Sequence, residues 1–127
     1  MELSCTFHFA ASHFLTKYHG KCENLHGHNY KLIVTIEGEV KEDGMVIDFK
    51  IIKDIVKQHV LETLDHKHLN DIIDNPSAEN TSVFIWEILK DKLPLKSITL
   101  YETDDYFCKY DGRYYCLYWT GHNQWRP

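Results

Sequence analysis

A chain of 127 residues, 43% hydrophobic and 26% charged, has the size and composition of one globular domain and is too short for two. Its 14 lysines and arginines against 19 aspartates and glutamates give a formal charge of −5, which excludes a general nucleic-acid surface. No apolar stretch approaches the ~20 residues of a membrane span, and the amino terminus runs straight into strand pattern with no cleavable leader, so a cytoplasmic protein is expected.

Residues 2–11 alternate, with Cys5, Phe7, Phe9 and Ala11 on one parity and Ser4, Thr6 and His8 on the other. This predicts a first strand whose inward row His13 continues. Residues 12–25 read as a loop rich in lysine and histidine. A second strand is expected from His26 to about Val40, where Tyr30, Leu32, Val34 and Ile36 share the parity of His26 and His28. A turn at Lys41-Glu42-Asp43-Gly44 leads into a short third strand, Met45-Val46-Ile47. Asp48 has N-cap chemistry, and Ile52, Ile55, Val56, Val60 and Leu64 follow at helical spacing. The polar run from Asp65 to Asp71 ends that helix as a loop. Pro76-Ser77 opens a second helix to about Leu93, with Val83, Trp86, Leu89 and Leu93 on one face, and Pro94 stops it.

A fourth strand runs from Ser97 to Thr103, where Glu102 continues the row of Ile98 and Leu100. Asp111-Gly112, between tyrosine-rich arms, signals a last hairpin over about 106–120. The order predicts one α+β domain over residues 1–127, a four-stranded antiparallel sheet with two helices covering one face. The other face carries Ser4, Thr6, Lys31, Ile33, Thr35, Thr99 and Tyr101, a mixture that suits water or a subunit contact.

Four features carry chemistry. His26 and His28 lie two apart at the start of a strand, so both imidazoles project from one face, and His13 ends the row of the preceding strand. Three imidazoles meeting this way suit a first-row metal; catalytic zinc takes three protein ligands and leaves a fourth position open. A hydrogen-bonded core or surface histidine is the competing reading for each. Cys22, four residues before His26, reads either as a nucleophile or base with a cation-lowered pKa or as a fourth ligand closing a structural site. The other cysteines, Cys5, Cys108 and Cys116, show no Cys-x-x-Cys spacing and are expected as free thiols. Asp65-His66 sets a carboxylate beside an imidazole, the general-base arrangement, or else an ordinary acidic helix exit. Glu102 puts a carboxylate on a face that should be buried. It is either salt-bridged or poised to accept two parallel N–H bonds from a guanidine-like edge such as a pterin or guanine ring presents. An anionic substrate would need a local cationic cluster, for which Lys17, Lys21, Lys67 and Arg113 are candidates.

These residues resemble the 6-pyruvoyltetrahydropterin synthase family, which includes 6-carboxytetrahydropterin synthase of queuosine biosynthesis. The resemblance rests on Phe9-Ala10-Ala11-Ser12-His13, Cys22 with Leu25-His26-Gly27-His28-Asn29, Gly44-Met45-Val46-Ile47-Asp48-Phe49, Leu64-Asp65-His66-Lys67-His68-Leu69-Asn70, Pro76-Ser77-Ala78-Glu79-Asn80 and Glu102-Thr103. It implies zinc on His13, His26 and His28, with Cys22 as catalytic base. It also implies Asp65 and His66 as a proton relay reaching a neighbouring subunit's site, and Glu102 as pterin anchor with Ser77 and Thr103 as substrate contacts. The implied architecture is the tunnelling fold, in which trimers close twelve strands into a barrel and stack in pairs as a homohexamer. Departures are Ser77 where threonine is frequent, the polar Thr81 and Ser82, and a tail after Asp105 with no counterpart.

The implied reaction is that of a lyase on 7,8-dihydroneopterin triphosphate: zinc acidifies the C–H bond of the substituent next to the ring, Cys22 removes the proton, and triphosphate leaves. The 6-carboxy enzyme also loses acetaldehyde, whereas the 6-pyruvoyl enzyme keeps those carbons. The short first loop and compact length lean toward the former. A structural-zinc protein without turnover is the rival class.

Overall fold

The computed structural model describes residues 1–16, 18 and 23–113. Two long strands, β1 (Glu2–His13) and β2 (His26–Glu37), pair antiparallel along their whole length, from Glu2↔Glu37 to His13↔His26. Burial follows the alternation read from the sequence. Cys5, Phe7, Phe9, Ala11 and His13 are buried on β1, and Tyr30, Leu32, Val34 and Ile36 on β2. Strand β1 runs two residues beyond the expected end and β2 stops near Glu37 instead of Val40, so His13 is a strand residue.

The helical layer begins where Asp48 accepts a hydrogen bond from the Lys50 N–H and caps α1 (Phe49–Val56). This helix continues through a π-helical turn (Lys57–Leu61) into a last α-helical turn, α2 (Glu62–Leu64). Ile52, Val56, Val60 and Leu64 are all fully buried. A plain α-helix drifts by about 40° for each four-residue step; the wider π turn cancels part of that drift and keeps the four on one face. Then α3 (Ala78–Leu89) starts at Ser77, whose side chain accepts the Asn80 N–H, and ends four residues before the expected Leu93.

Strand β4 (Leu95–Thr103) pairs antiparallel with β2, and β5 (Tyr106–Tyr110) pairs antiparallel with β4. The sheet has five strands, not four, in the order β3-β1-β2-β4-β5. Its two extra members are β5 and β3 (Lys67–His68), a two-residue strand lying parallel to Ala11-Ser12. The expected polar loop at 65–71 therefore holds a strand and a short 3₁₀ turn at Leu69–Asp71. Conversely, Met45-Val46-Ile47 forms no strand. It is a bend in which Val46 is buried while the Met45 carbonyl accepts the Lys41 N–H. Burial of Val46, packing of Ile47 on the core and the Lys41–Met45 hydrogen bond accompany this bend.

The polypeptide reverses between β4 and β5 at Asp104-Asp105, with Thr103 opposite Tyr106, and not first at Asp111-Gly112. The far arm of the hairpin expected over 106–120 lies outside the described residues from 114 onward. On the outer face Ser4 and Thr35 share a 2.7 Å hydrogen bond, and Lys31 lies 4.0 Å over the Tyr101 ring.

One core joins helices to sheet, centred on Leu32, Ile36, Ile52, Leu64, Ile85, Ile98 and Leu100, all fully buried. Ile52→Ala should cost about 2–5 kcal/mol, the usual range for such truncations, read as a lower denaturant midpoint at unchanged slope.

Candidate active site

The register of β1 on β2 sets His13 directly opposite His26, and Ala11 opposite His28. All three imidazoles consequently meet at one end of the sheet, with ring centroids 4.6 Å (His13–His26), 5.0 Å (His13–His28) and 4.7 Å (His26–His28) apart. One ligating nitrogen from each lies within 4.8 Å of the others.

Second partners decide which nitrogens face inward. The His13 Nδ1–H donates to the Pro76 carbonyl at 2.7 Å, and the His26 Nδ1–H donates to the Asn24 carbonyl at 2.8 Å. A carbonyl only accepts, so both rings carry a proton on Nδ1 and turn Nε2 inward as the nitrogen available to a ligand. Those two Nε2 atoms are 3.0 Å apart. His28 Nε2 is buried with no hydrogen-bond partner. Burial pushes His28 below the ordinary imidazole pKa, and the neighbouring His13 and His26 push the same way against the opposing Glu102. Neutral rings with converging lone pairs repel one another unless a cation lies between them. Donors on a tetrahedral zinc at ~2.05 Å stand about 3.3 Å apart, close to the 3.0 Å between the Nε2 atoms of His13 and His26. The three residues can hold a metal ion.

The polypeptide around His13 is fixed by asparagines. Asn70 brackets Phe14, accepting its N–H at 3.0 Å and donating to its carbonyl at 2.9 Å. Asn75 adopts φ 47°, in the left-handed region that asparagine tolerates, while its side chain accepts the Thr16 N–H at 2.9 Å. Asn80, itself buried, donates to the Asn75 carbonyl at 2.8 Å. Together these contacts aim the Pro76 carbonyl at His13. Sequence reasoning missed that role; the only signal was a histidine needing a partner and asparagines flanking a proline.

Glu102 projects into the same end of the sheet beside a β-bulge, since the β4–β5 pairing shifts register between Tyr101 and Thr103. Its carboxylate oxygens lie 3.5 Å from His28 Nε2 and 3.9 Å from His13 Nε2. Glu102 and Ser77 also wall a recess of about 270 Å³, together with Leu15, Glu79 and Tyr106. The Ser77 oxygen caps α3, and the Thr103 hydroxyl accepts the Asp105 N–H at 3.2 Å, which assigns Thr103 to the turn and not to the recess.

Asp65 and His66 stand at the outer edge of β1. Asp65 accepts the Ala10 N–H at 2.9 Å, and His66 donates its own N–H to the Ala10 carbonyl at 2.7 Å. Their side chains approach to 3.3 Å, and His66 holds φ 60°, uncommon for histidine. His66 is 76% exposed and, with Lys67, His68 and His28, lines an open cleft of about 820 Å³. Cys22, Lys17 and Lys21 lie outside the described residues. Cys5 is a buried free thiol as expected, and Cys108 is a free thiol set 3.0 Å from the Ser82 hydroxyl.

The model of the 6-pyruvoyl tetrahydropterin synthase family matches residues 2–113. The protein belongs to that family. It is 43% identical to a 6-pyruvoyl tetrahydrobiopterin synthase of Dictyostelium discoideum, over 76% of its own length and 77% of the relative. It is 35% identical to a 6-carboxy-5,6,7,8-tetrahydropterin synthase of Haemophilus influenzae, over 86% and 97%. Its fold matches 6-pyruvoyl tetrahydropterin synthase of Caenorhabditis elegans with a TM-score of 0.78 at 29% identity, over 88% of this protein and 95% of that one. The family match reaches past Asp105 through all of β5, so Tyr106–Tyr110 are part of the family fold.

Losing an orienting partner typically weakens metal affinity about 10–100-fold. Asn80→Ala, which frees the Asn75–Pro76 turn, should fall in that range, and His28→Ala should lose more. Competition with a chelator, followed by elemental analysis, measures both.

Proposed function

We propose that the protein is a zinc-dependent lyase that converts 7,8-dihydroneopterin triphosphate to 6-carboxy-5,6,7,8-tetrahydropterin, releasing acetaldehyde and triphosphate with uptake of one water. The observation that carries this reading is the inward-facing Nε2 triad of His13, His26 and His28, two of whose members are held in the ligating tautomer by carbonyls. Zinc bound there supplies Lewis acidity toward the hydroxyl oxygens of the substrate.

The protein's own residues do the rest. Glu102 accepts the donor edge of the ring, with Ser77 beside it in the recess. The Cys22 thiolate takes the proton from the exocyclic carbon adjacent to the ring. The Asp65–His66 pair, already within 3.3 Å, relays protons at the other exocyclic hydroxyl. Each correctly placed acid or base contributes typically ~10²–10⁴-fold. Because His66 lies exposed on the sheet edge, this reading has it serving the site of an adjacent copy in a homohexamer built as two stacked trimers. Closure of sheets into a barrel would also cover the edges of β3 and β5 that have no strand partner among the described residues. A cytoplasmic setting and a place in queuosine biosynthesis belong to the same reading; among the described residues no helix is long and apolar enough to cross a membrane.

A second reading, 6-pyruvoyl-tetrahydropterin synthesis by triphosphate elimination alone, is favoured by the 43% identity to the Dictyostelium synthase. The two products differ in mass. Incubation with dihydroneopterin triphosphate should give a 6-carboxy product plus acetaldehyde; a 6-pyruvoyl product establishes the second reading, and no triphosphate release rejects both. Cys22→Ala should retain stoichiometric zinc while triphosphate release falls by ~10² or more. Loss of the zinc instead would identify Cys22 as a ligand of a structural site.

A further inference from the structure

Two large aromatic residues follow the β4–β5 turn in an exposed state, Tyr106 at 55% and Phe107 at 54%. Their situations differ. Phe107 also borders the 270 Å³ recess, but its ring lies 4.6 Å from that of Tyr101, which in turn carries Lys31 on its face. Tyr106 sits opposite Thr103 at the mouth of the 270 Å³ recess, and among the described residues no other ring stacks on it. An exposed ring at the rim of a recess is placed to pack against a flat ligand held there.

The recess has a definite chemistry. Glu79 and Glu102 give it two carboxylates, suited to the donor-rich amidine edge of a pterin and hostile to an anion. Carboxylates hold only the edge of such a ring. Its faces, which are flat and poorly hydrated, need an apolar wall; Leu15, Tyr106 and Phe107 are the large residues lining the recess, and of the two rings Phe107 is already packed on Tyr101. The recess adjoins the histidine cluster through Glu102, which lines the one and lies 3.5 Å from His28 of the other.

We propose that Tyr106 is a substrate-binding residue whose phenol ring stacks on the pterin ring held by Glu102. This rests on the reading of Glu102 as ring anchor. Stacking against an aromatic ring is worth roughly a five- to tenfold gain in affinity beyond simple area burial, and the contact is made equally with ground and transition states. Its loss should therefore raise KM and leave kcat in place.

The test uses the zinc-loaded full-length protein and neopterin, which has the ring without the phosphates, titrated calorimetrically against wild type, Tyr106→Ala, Tyr106→Phe and Glu102→Gln. Tyr106→Ala should bind neopterin about five- to tenfold more weakly, and Tyr106→Phe within about twofold of wild type. KM for the triphosphate substrate should rise in parallel, with kcat and melting temperature unchanged in Tyr106→Ala. Wild-type affinity in Tyr106→Ala overturns the proposal, as does equal weakening in Tyr106→Phe, which would assign the effect to the hydroxyl. If Tyr106→Ala binds normally while Glu102→Gln does not, the anchor reading survives and the stacking proposal alone fails. If wild type binds no neopterin, both fail.

Discussion

Two carbonyl groups govern what this end of the molecule can do. Pro76 and Asn24 each take the Nδ1 proton of a histidine, and in doing so turn the opposite nitrogens toward each other at 3.0 Å. Such an arrangement is unfavourable in isolation, since lone pairs on neutral rings repel. It becomes favourable as soon as a cation is shared among them. A shared cation is therefore the partner this arrangement suits, and burial disfavours a proton at His28. The rest of the local architecture serves to hold those carbonyls still. Asn75 in a left-handed conformation, Asn80 behind it and Asn70 beside it convert a flexible proline turn into a fixed acceptor.

That arrangement depends on the register between β1 and β2. A slip of β2 by one residue would move His26 and His28 to the outer face along with that strand's apolar row, away from His13. The same Phe9–Tyr30 stacking (4.8 Å) and burial of Leu32 and Val34 that stabilise the sheet therefore fix the ligand geometry. Stability and ligand placement are set by one pattern and cannot be varied independently along these strands.

Much of this is legible in the sequence because it rides on period-two alternation. The parity of Cys5, Phe7, Phe9 and Ala11 leads directly to His13, and that of Tyr30 and Leu32 to His26 and His28. Glu102 is conspicuous for the same reason, as a charge at the end of an apolar row. Features that arise from pairing between distant segments are not legible. Lys67-His68 becomes a strand where it pairs with Ala11 and Ser12, whereas Met45–Ile47 folds into a bend that buries Val46. The turn at Asp104-Asp105 is overshadowed by Asp111-Gly112, whose glycine is the stronger local signal. The carbonyl partners of the histidines are invisible for a simpler reason: a backbone oxygen has no letter in the sequence.

The π-helical turn at Lys57–Leu61 ties helix length to the placement of Asp65 and His66. A π turn is equivalent to an α-helix carrying one inserted residue, so it acts as a phase adjuster between two fixed points. Upstream, Ile52 and Val56 are anchored in the core; downstream, Asp65 and His66 grip both backbone groups of Ala10. Were the same residues wound at ordinary α pitch throughout, the extra residue would rotate all that follows by about 100°, carrying the acid–imidazole pair off the sheet edge. The pitch of this segment therefore constrains where Asp65 and His66 fall, although none of its residues belongs to the histidine cluster.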